Sequence, residues 1–225
     1  MGQQTLHSDE GKEAIDYLVK DRGLSIGVIK KFQVGYCPQR VDHELRGRIV
    51  TPIHDPYGSL VALSSRQLKK KFFFHESYDK GFYLYGLHIA KPYIIKYGRV
   101  VIVEGEFDVM YLHSHGVPMA VGMCGSALNL FQLSVLARYC ENIYIVFDGD
   151  KKCNQSIKRV LNMYHANHMW TELRNSEERE GVKLYPVKLP MGYDPDDYIK
   201  KFGNKKFIAL LKGTDYSVRR KRSNV

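Results

Sequence analysis

Between residues 100 and 189 the chain alternates short, wholly apolar runs with segments of helical period, and this alternation restricts the fold more than any other feature. Val100-Val101-Ile102-Val103 is followed by a helical pattern over 107–115, an extended run at 117–121, a second helix over 128–139 and the apolar run 143–147. A helix is expected after Asp150, with Ile157, Val160, Leu161 and Tyr164 on one stripe, and a last strand at 184–189. Apolar runs without polar alternation belong to strands covered on both faces, so the pattern predicts an α/β unit with a parallel sheet. The charged stretch 170–181 either extends the preceding helix or forms an insertion.

The flanks read differently. Before Gly35, Ala14, Ile15 and Leu18 and then Ile26, Ile29 and Phe32 fall at helical spacing, with Gly23 between the groups, so two short helices are predicted. Extended runs at 49–53 and 60–64 are joined by Asp55-Pro56-Tyr57-Gly58, which has turn chemistry and predicts a β-hairpin. A basic and aromatic cluster, Lys69-Lys70-Lys71-Phe72-Phe73-Phe74, follows. Beyond Asp194 a short helix, a stop at Gly203 and a helix over 205–211 are expected, and Arg219-Arg220-Lys221-Arg222 is expected as a solvated tail.

Three acidic groups stand where predicted strands end: Glu104-Gly105-Glu106-Phe107-Asp108, Asp148-Gly149-Asp150 and Asp194-Pro195-Asp196-Asp197. Alone, an Asp-Gly-Asp is a turn and an Asp-Pro is an N-cap. In an open parallel sheet, however, the carboxyl ends of the strands share one edge, so the three groups are expected to converge there. Gathered carboxylates repel unless cations neutralise them, and hard oxygen ligands select Mg²⁺ or Mn²⁺, which also bind phosphate oxygens. The spacing therefore points to metal-assisted phosphoryl chemistry. The formal charge of +10, from 34 Lys and Arg against 24 Asp and Glu, favours a polyanionic partner. Cys37, Cys124, Cys140 and Cys153 form no Cys-x-x-Cys pair, and His165 and His168 lack nearby cysteines, so no zinc site is expected. No apolar run approaches the roughly 18 residues of a membrane span and the opening lacks the order of a secretion signal, so a cytoplasmic protein is expected.

The runs Val101-Ile102-Val103-Glu104-Gly105-Glu106-Phe107-Asp108, Phe147-Asp148-Gly149-Asp150 and Asp194-Pro195-Asp196 resemble the Toprim domain shared by topoisomerases, primases and some nucleases. In the N-terminal half, Phe32-Gln33-Val34-Gly35-Tyr36, Arg48-Ile49-Val50-Thr51-Pro52-Ile53, Ser65-Arg66 and Leu84-Tyr85-Gly86-Leu87 resemble the catalytic core of bacterial-type replicative primases. Gly125-Ser126-Ala127-Leu128 is similar to a turn of the same cores.

This resemblance implies an α/β Toprim domain over 99–190. A mixed α+β primase subdomain precedes it over 1–98, and the Asp-Pro-Asp segment, short helices and basic tail follow over 191–225. It implies Glu104, Asp108, Asp148 and Asp150 as catalytic residues, and these four with Asp194 and Asp196 as ligands of two or more Mg²⁺ or Mn²⁺ ions. Arg48, Arg66, Lys71 and Lys80 are implied to contact template or nucleotide phosphates, and Phe72, Phe73 or Tyr83 to stack on bases if not in the core. The implied activity is DNA-templated synthesis of short RNA primers from ribonucleoside triphosphates. A single-stranded DNA template is the implied partner, with a replicative helicase or a separate zinc-binding module as further ones.

The match has departures. Cys153 replaces a usual glycine, 71–80 is shorter than in the family, and most of the helical bundle that follows Toprim is missing. With no zinc module before the core and no helicase-binding domain after it, the expectation is a minimal, phage- or plasmid-encoded primase or a piece of a longer one. Two alternatives remain open on the residues: a Toprim nuclease using the same acids, and a non-catalytic single-stranded nucleic-acid-binding protein. A topoisomerase needs a tyrosine on a separate moving domain, for which the chain has no room.

Overall fold

The computed structural model describes residues 2–68, 73–125, 127–147, 159, 160, 162 and 182–222. Among the described residues there are two sheets. The first is antiparallel, in the order β1 (Gly35–Cys37), β2 (Arg48–His54), β3 (Leu60–Gln67), β4 (Phe73–His75). The hairpin read from the sequence is its centre: Asp55 turns the chain by accepting from the Tyr57 and Ser59 amides at 2.8 and 2.9 Å, and Ile49 lies opposite Arg66. Helices α1 (Gly2–Leu6), α2 (Lys12–Asp16) and α3 (Ile26–Lys31) precede it, with a 3₁₀ turn at Asp9–Gly11 and a π turn at Tyr17–Asp21, where two helices were expected.

The second sheet has the order β5-β7-β6-β8-β9, from Leu84–Tyr85, Ala120–Met123, Arg99–Val103, Asn142–Phe147 and Lys183–Lys188. Only the short β5 is antiparallel among these; β7, β6, β8 and β9 run parallel. Helix α4 (Leu87–Tyr97) leads into β6, α5 (Glu106–Ser114) joins β6 to β7, and α6 (Leu130–Ala137) carries the chain back across β6 to β8. The two crossovers travel in opposite directions. With one handedness they must cover opposite faces, and α5 and α6 contribute to different core clusters.

The strands supply both clusters by simple alternation. Val101, Val103, Tyr144, Val146, Tyr185 and Val187 face the α5 side, while Val100, Ile102, Ile143, Ile145 and Leu184 face α4 and α6. Each fully buried aliphatic side chain contributes ~1.5–3 kcal/mol. The α5-side cluster also takes in Leu6, Leu18, Ile29, Phe32, Ile49 and Ile53, so the N-terminal sheet and the parallel sheet share one core.

After β9, α7 (Pro195–Phe202) packs near α5, Gly203 stops it at φ +84, and α8 (Asn204–Arg222) follows. The backbone of α8 runs on through the basic residues 219–222, where a solvated tail was expected. The helix expected after Asp150 and the stretch 170–181 fall almost wholly outside the described residues. No helix among the described residues is long and apolar enough to cross a membrane.

Candidate active site

In the parallel sheet the chain leaves β6 toward β7 on one side and β8 toward β9 on the other. The crevice of such a sheet opens outside the carboxyl ends of the two strands where the winding reverses, here β6 and β8. Glu104 follows directly on the buried strand Val100–Val103 and is half-buried at this edge. Gly105 caps α5, and the Asp108 carboxylate accepts from its amide at 3.0 Å. A Cβ on Gly105 would lie 2.9 Å from Asp108 Oδ2, so glycine is what allows this closure. Asp108 thus holds the first helical turn. Asp148 and Asp150 come next in sequence after Phe147, which ends β8, and lie outside the described residues.

The third acidic group is built by α7. Asp194 is its N-cap, accepting from the Asp197 amide at 2.7 Å, and Pro195 takes the first helical position. Carboxylate oxygens of Asp194, Asp196 and Asp197 lie within 4.8 Å of one another. Asp196 is 2% exposed; Lys200 donates to its Oδ2 at 3.0 Å, and Arg22 Nη2 lies 3.8 Å away. Its Oδ1 is buried with no hydrogen-bond partner. Burial, then the hydrogen bond that protonated Asp194 donates to Asp196, and the neighbouring carboxylates push Asp194 up to about 7. Burial also pushes Asp196 up, but its hydrogen bond with Asp194 and the cations of Lys200 and Arg22 outweigh this and hold it low.

Such a pair carries an expectation for stability. A carboxyl raised from its ordinary 3.8 to about 7 binds a proton in the native state that the unfolded chain has lost, so its stabilising contribution disappears as pH rises through 7. Asp194→Asn keeps the cap and can donate to Asp196, as the protonated acid does. In chelator, the melting temperature of Asp194→Asn relative to the natural chain should climb between pH 5 and 8; parallel pH profiles for the two proteins would show that Asp194 titrates normally.

Arg22 joins the acidic groups. Its guanidinium lies 5.1 Å from the ring centroid of Phe107, in the Glu104 to Asp108 segment, and contacts Asp196 on α7. Arg66, on β3, lies 5.4 Å from the Phe107 ring and 5.4 Å from Tyr17, and burial together with the charge of Arg22 lowers it below the usual arginine value. The two guanidiniums therefore lie near one ring, and Arg22 reaches from it to Asp196. The sequence singled out Arg66 and missed Arg22, because no spacing distinguishes Arg22 from the other bases. A local clue is Gly23, held at φ +67 with its would-be Cβ 3.1 Å from Tyr111 of α5.

The other basic residues separate. Lys80 sits on the 3₁₀ turn Lys80–Phe82, 5.9 Å from the Tyr78 ring, and its Cβ lies 3.6 Å from where a Cβ on Gly125 would be, just past the carboxyl end of β7. Arg48 is 8% exposed in a different recess of about 580 Å³, lined also by Glu13, Tyr36, Glu44 and Gln67. The structure does not bring it to Arg66. Lys71 and Phe72 lie outside the described residues. Just past β7, burial pushes the Cys124 thiol up to about 12, which disfavours its thiolate.

The parallel-containing sheet, with Glu104 following β6 at its carboxyl edge, shares one core with the antiparallel sheet that carries Arg66, the arrangement expected of a Toprim-like α/β unit. Residues 101–199 match the Toprim-like family model. The DNA primase of Aquifex aeolicus is 30% identical over 239 residues, covering 90% of this chain and 45% of that protein. A solved DnaG catalytic core superposes with a TM-score of 0.81 at 26% identity, over 94% of this chain and 76% of that one. A DnaG primase catalytic domain bound to single-stranded DNA gives 0.80 at 25% identity, over 94% and 77%. The chain is a homologue of the DnaG-type bacterial DNA primases, and the part it matches is their catalytic core. It spans less than half the length of the Aquifex primase.

Proposed function

We propose that the chain is a DNA primase catalytic core, which makes short RNA primers on single-stranded DNA from ribonucleoside triphosphates by metal-dependent nucleotidyl transfer in the cytoplasm. What carries this reading is that the match to primase cores runs through 94% of the chain, including the N-terminal sheet, and not only through the Toprim-like segment. In this reading, residues 1–98 present template and nucleotide, 99–190 carry the chemistry, and 191–225 add the Asp-Pro-Asp segment. A replicative helicase or a separate zinc-binding module would supply recruitment and start-site choice.

The family implies divalent metal use, and the residues suit it: hard oxygen donors, one of them the partnerless buried Oδ1 of Asp196. Glu104, Asp108, Asp148, Asp150, Asp194 and Asp196 would hold Mg²⁺ or Mn²⁺. When bound, the metal lowers the pKa of an attacking 3′-hydroxyl and neutralises charge developing on the α-phosphate. The protein's own part is placement. Arg22 and Arg66 hold phosphate beside the acids, Lys80 receives backbone at the β7 end, and Lys200 with Arg22 keeps Asp196 ionised.

The test is to incubate the protein with single-stranded DNA, Mg²⁺ or Mn²⁺ and labelled ribonucleotides. Short oligoribonucleotides support the reading. Cleavage of the template without incorporation would instead establish a nuclease, and binding with neither product a non-catalytic protein. A second expectation concerns the basic side: Arg66→Ala and Lys80→Ala should each weaken single-stranded DNA binding and flatten its salt dependence by about one unit of slope per phosphate contact. Unchanged slopes in both variants would remove these residues from the interface.

A further inference from the structure

Phe82 and Phe131 are 51% and 46% exposed, yet they pack edge to face, ring centroids 4.8 Å apart at 89°. Two large aromatic rings from different elements, touching each other and open to solvent, are unusual enough to ask what they receive. Their mounting is rigid. Asn129 Nδ2 donates to Gly81 O at 3.1 Å, and Gln132 Nε2 donates to Tyr83 O at 2.8 Å and to Lys80 O at 3.4 Å. The same two side chains close the first turn of α6, Asn129 accepting from the Gln132 amide at 2.9 Å and Gln132 from the Asn129 amide at 3.2 Å. Gln132 is 1% exposed, so the 3₁₀ turn carrying Phe82 and the helix start carrying Phe131 are fixed together.

The rings also have a definite address. Lys80 begins the same turn and lies against Gly125, just past the end of β7. Gly122 of β7 pairs with both Tyr85 and Val103, so this turn borders the edge where Glu104 follows Val103.

We infer that Phe82 and Phe131 form a stacking platform for one unpaired base of single-stranded nucleic acid, with Lys80 taking an adjoining phosphate. The assignment rests on the proposed primase reading for its partner, while the platform itself rests on the geometry. Charge and size favour this occupant. The chain carries +10, a lysine begins the turn that carries Phe82, and two rings match the footprint of one base, whereas a protein partner needs about 800 Å² on each side. A pre-fixed platform also spares the partner the entropy of ordering it.

The test measures binding of a fluorescent single-stranded oligodeoxynucleotide to the full chain and to Phe82→Ala and Phe131→Ala, both surface changes, with circular dichroism to verify the fold. Each variant should bind about 5- to 100-fold more weakly, as loss of one stacked base does. The slope of log affinity against log salt should not change, since no phosphate contact is lost. On the same strand with abasic sites the natural chain and the variants should bind alike, and Phe131→Trp should retain tight binding on the intact strand. Unaltered affinity in the alanine variants, or an equal loss on the abasic strand, overturns the platform. So does self-association of the natural chain that the variants lose in sedimentation, which would give the rings to a second copy. The two readings fail separately: primer synthesis with alanine variants that bind normally sinks the platform alone, and base-dependent binding without primer synthesis sinks the primase reading alone.

Discussion

Glu104→Gln is expected to abolish primer synthesis, reducing product by ~10²-fold or more, while the fold and its melting temperature stay close to those of the natural chain. The substitution keeps the size and removes the charge, turning one accepting oxygen into an N–H donor. Stability should hold because the strand before it is secured elsewhere: Val100, Val101, Ile102 and Val103 are all 0% exposed, whereas Glu104 is half-buried at the rim. Asp108 is a poorer choice for this test, since its carboxylate also holds the Gly105 amide and a loss there would mix chemistry with local folding. The measurement is incorporation of labelled ribonucleotide on single-stranded DNA, with a thermal melt and an Mn²⁺ titration on the same protein. Full activity in Glu104→Gln would remove Glu104 from the site and, with it, the reading of the edge as catalytic.

The parallel sheet was legible because its strands are covered on both faces and therefore spelled as unbroken apolar runs. The expected 100–103, 143–147 and 184–189 became Arg99–Val103, Asn142–Phe147 and Lys183–Lys188. The strand expected at 117–121 begins instead at Ala120, because Val117 accepts the Ala120 amide in a turn that Pro118 helps to make. Helix α4 gave no clear signal. Pro92 interrupts its helical pattern, and Ile94-Ile95 has the look of a strand until the Ile94 side is buried against the sheet and Ile95 left 56% exposed. β1, β4 and β5, of three, three and two residues, exist by pairing with neighbours and have no period of their own to read. Glu104 and the Asp194 group stand out in the sequence because a strand end and an Asp-Pro cap are local signals. The cations gathered on Asp196 were not. Lys200 lies one turn along α7, but Arg22 comes from a remote segment, and only the shared core brings it there.

That shared core makes Gly86→Ala a strongly destabilising substitution. Gly86 precedes α4 with φ +75, a conformation that costs a residue with a side chain roughly 1–2 kcal/mol. A Cβ there would also sit 2.9 Å from Phe32 Cε1 and 3.3 Å from Val109 Cγ1. Phe32 cannot step aside, being 2% exposed, stacked on Tyr85 at 5.5 Å and edge-on to His113 at 4.9 Å. Overpacking of that kind adds about 1–3 kcal/mol, for a total on the order of 2–5 kcal/mol. At roughly 2–4 °C per kcal/mol for a chain of this size, the melting temperature should fall by about 4–20 °C. Gly98→Ala is the matched comparison: its φ is +62, but nothing lies within 4 Å of its would-be Cβ, so it should incur the conformational cost alone. Equal losses in the two variants would mean that the space around Phe32 yields freely. If it does not, the strain falls between Phe32 of the N-terminal part and Val109 of α5, the helix that carries Phe107 against Arg22 and Arg66. Gly86→Ala should therefore weaken single-stranded DNA binding below its melting temperature, where Gly98→Ala leaves it unchanged.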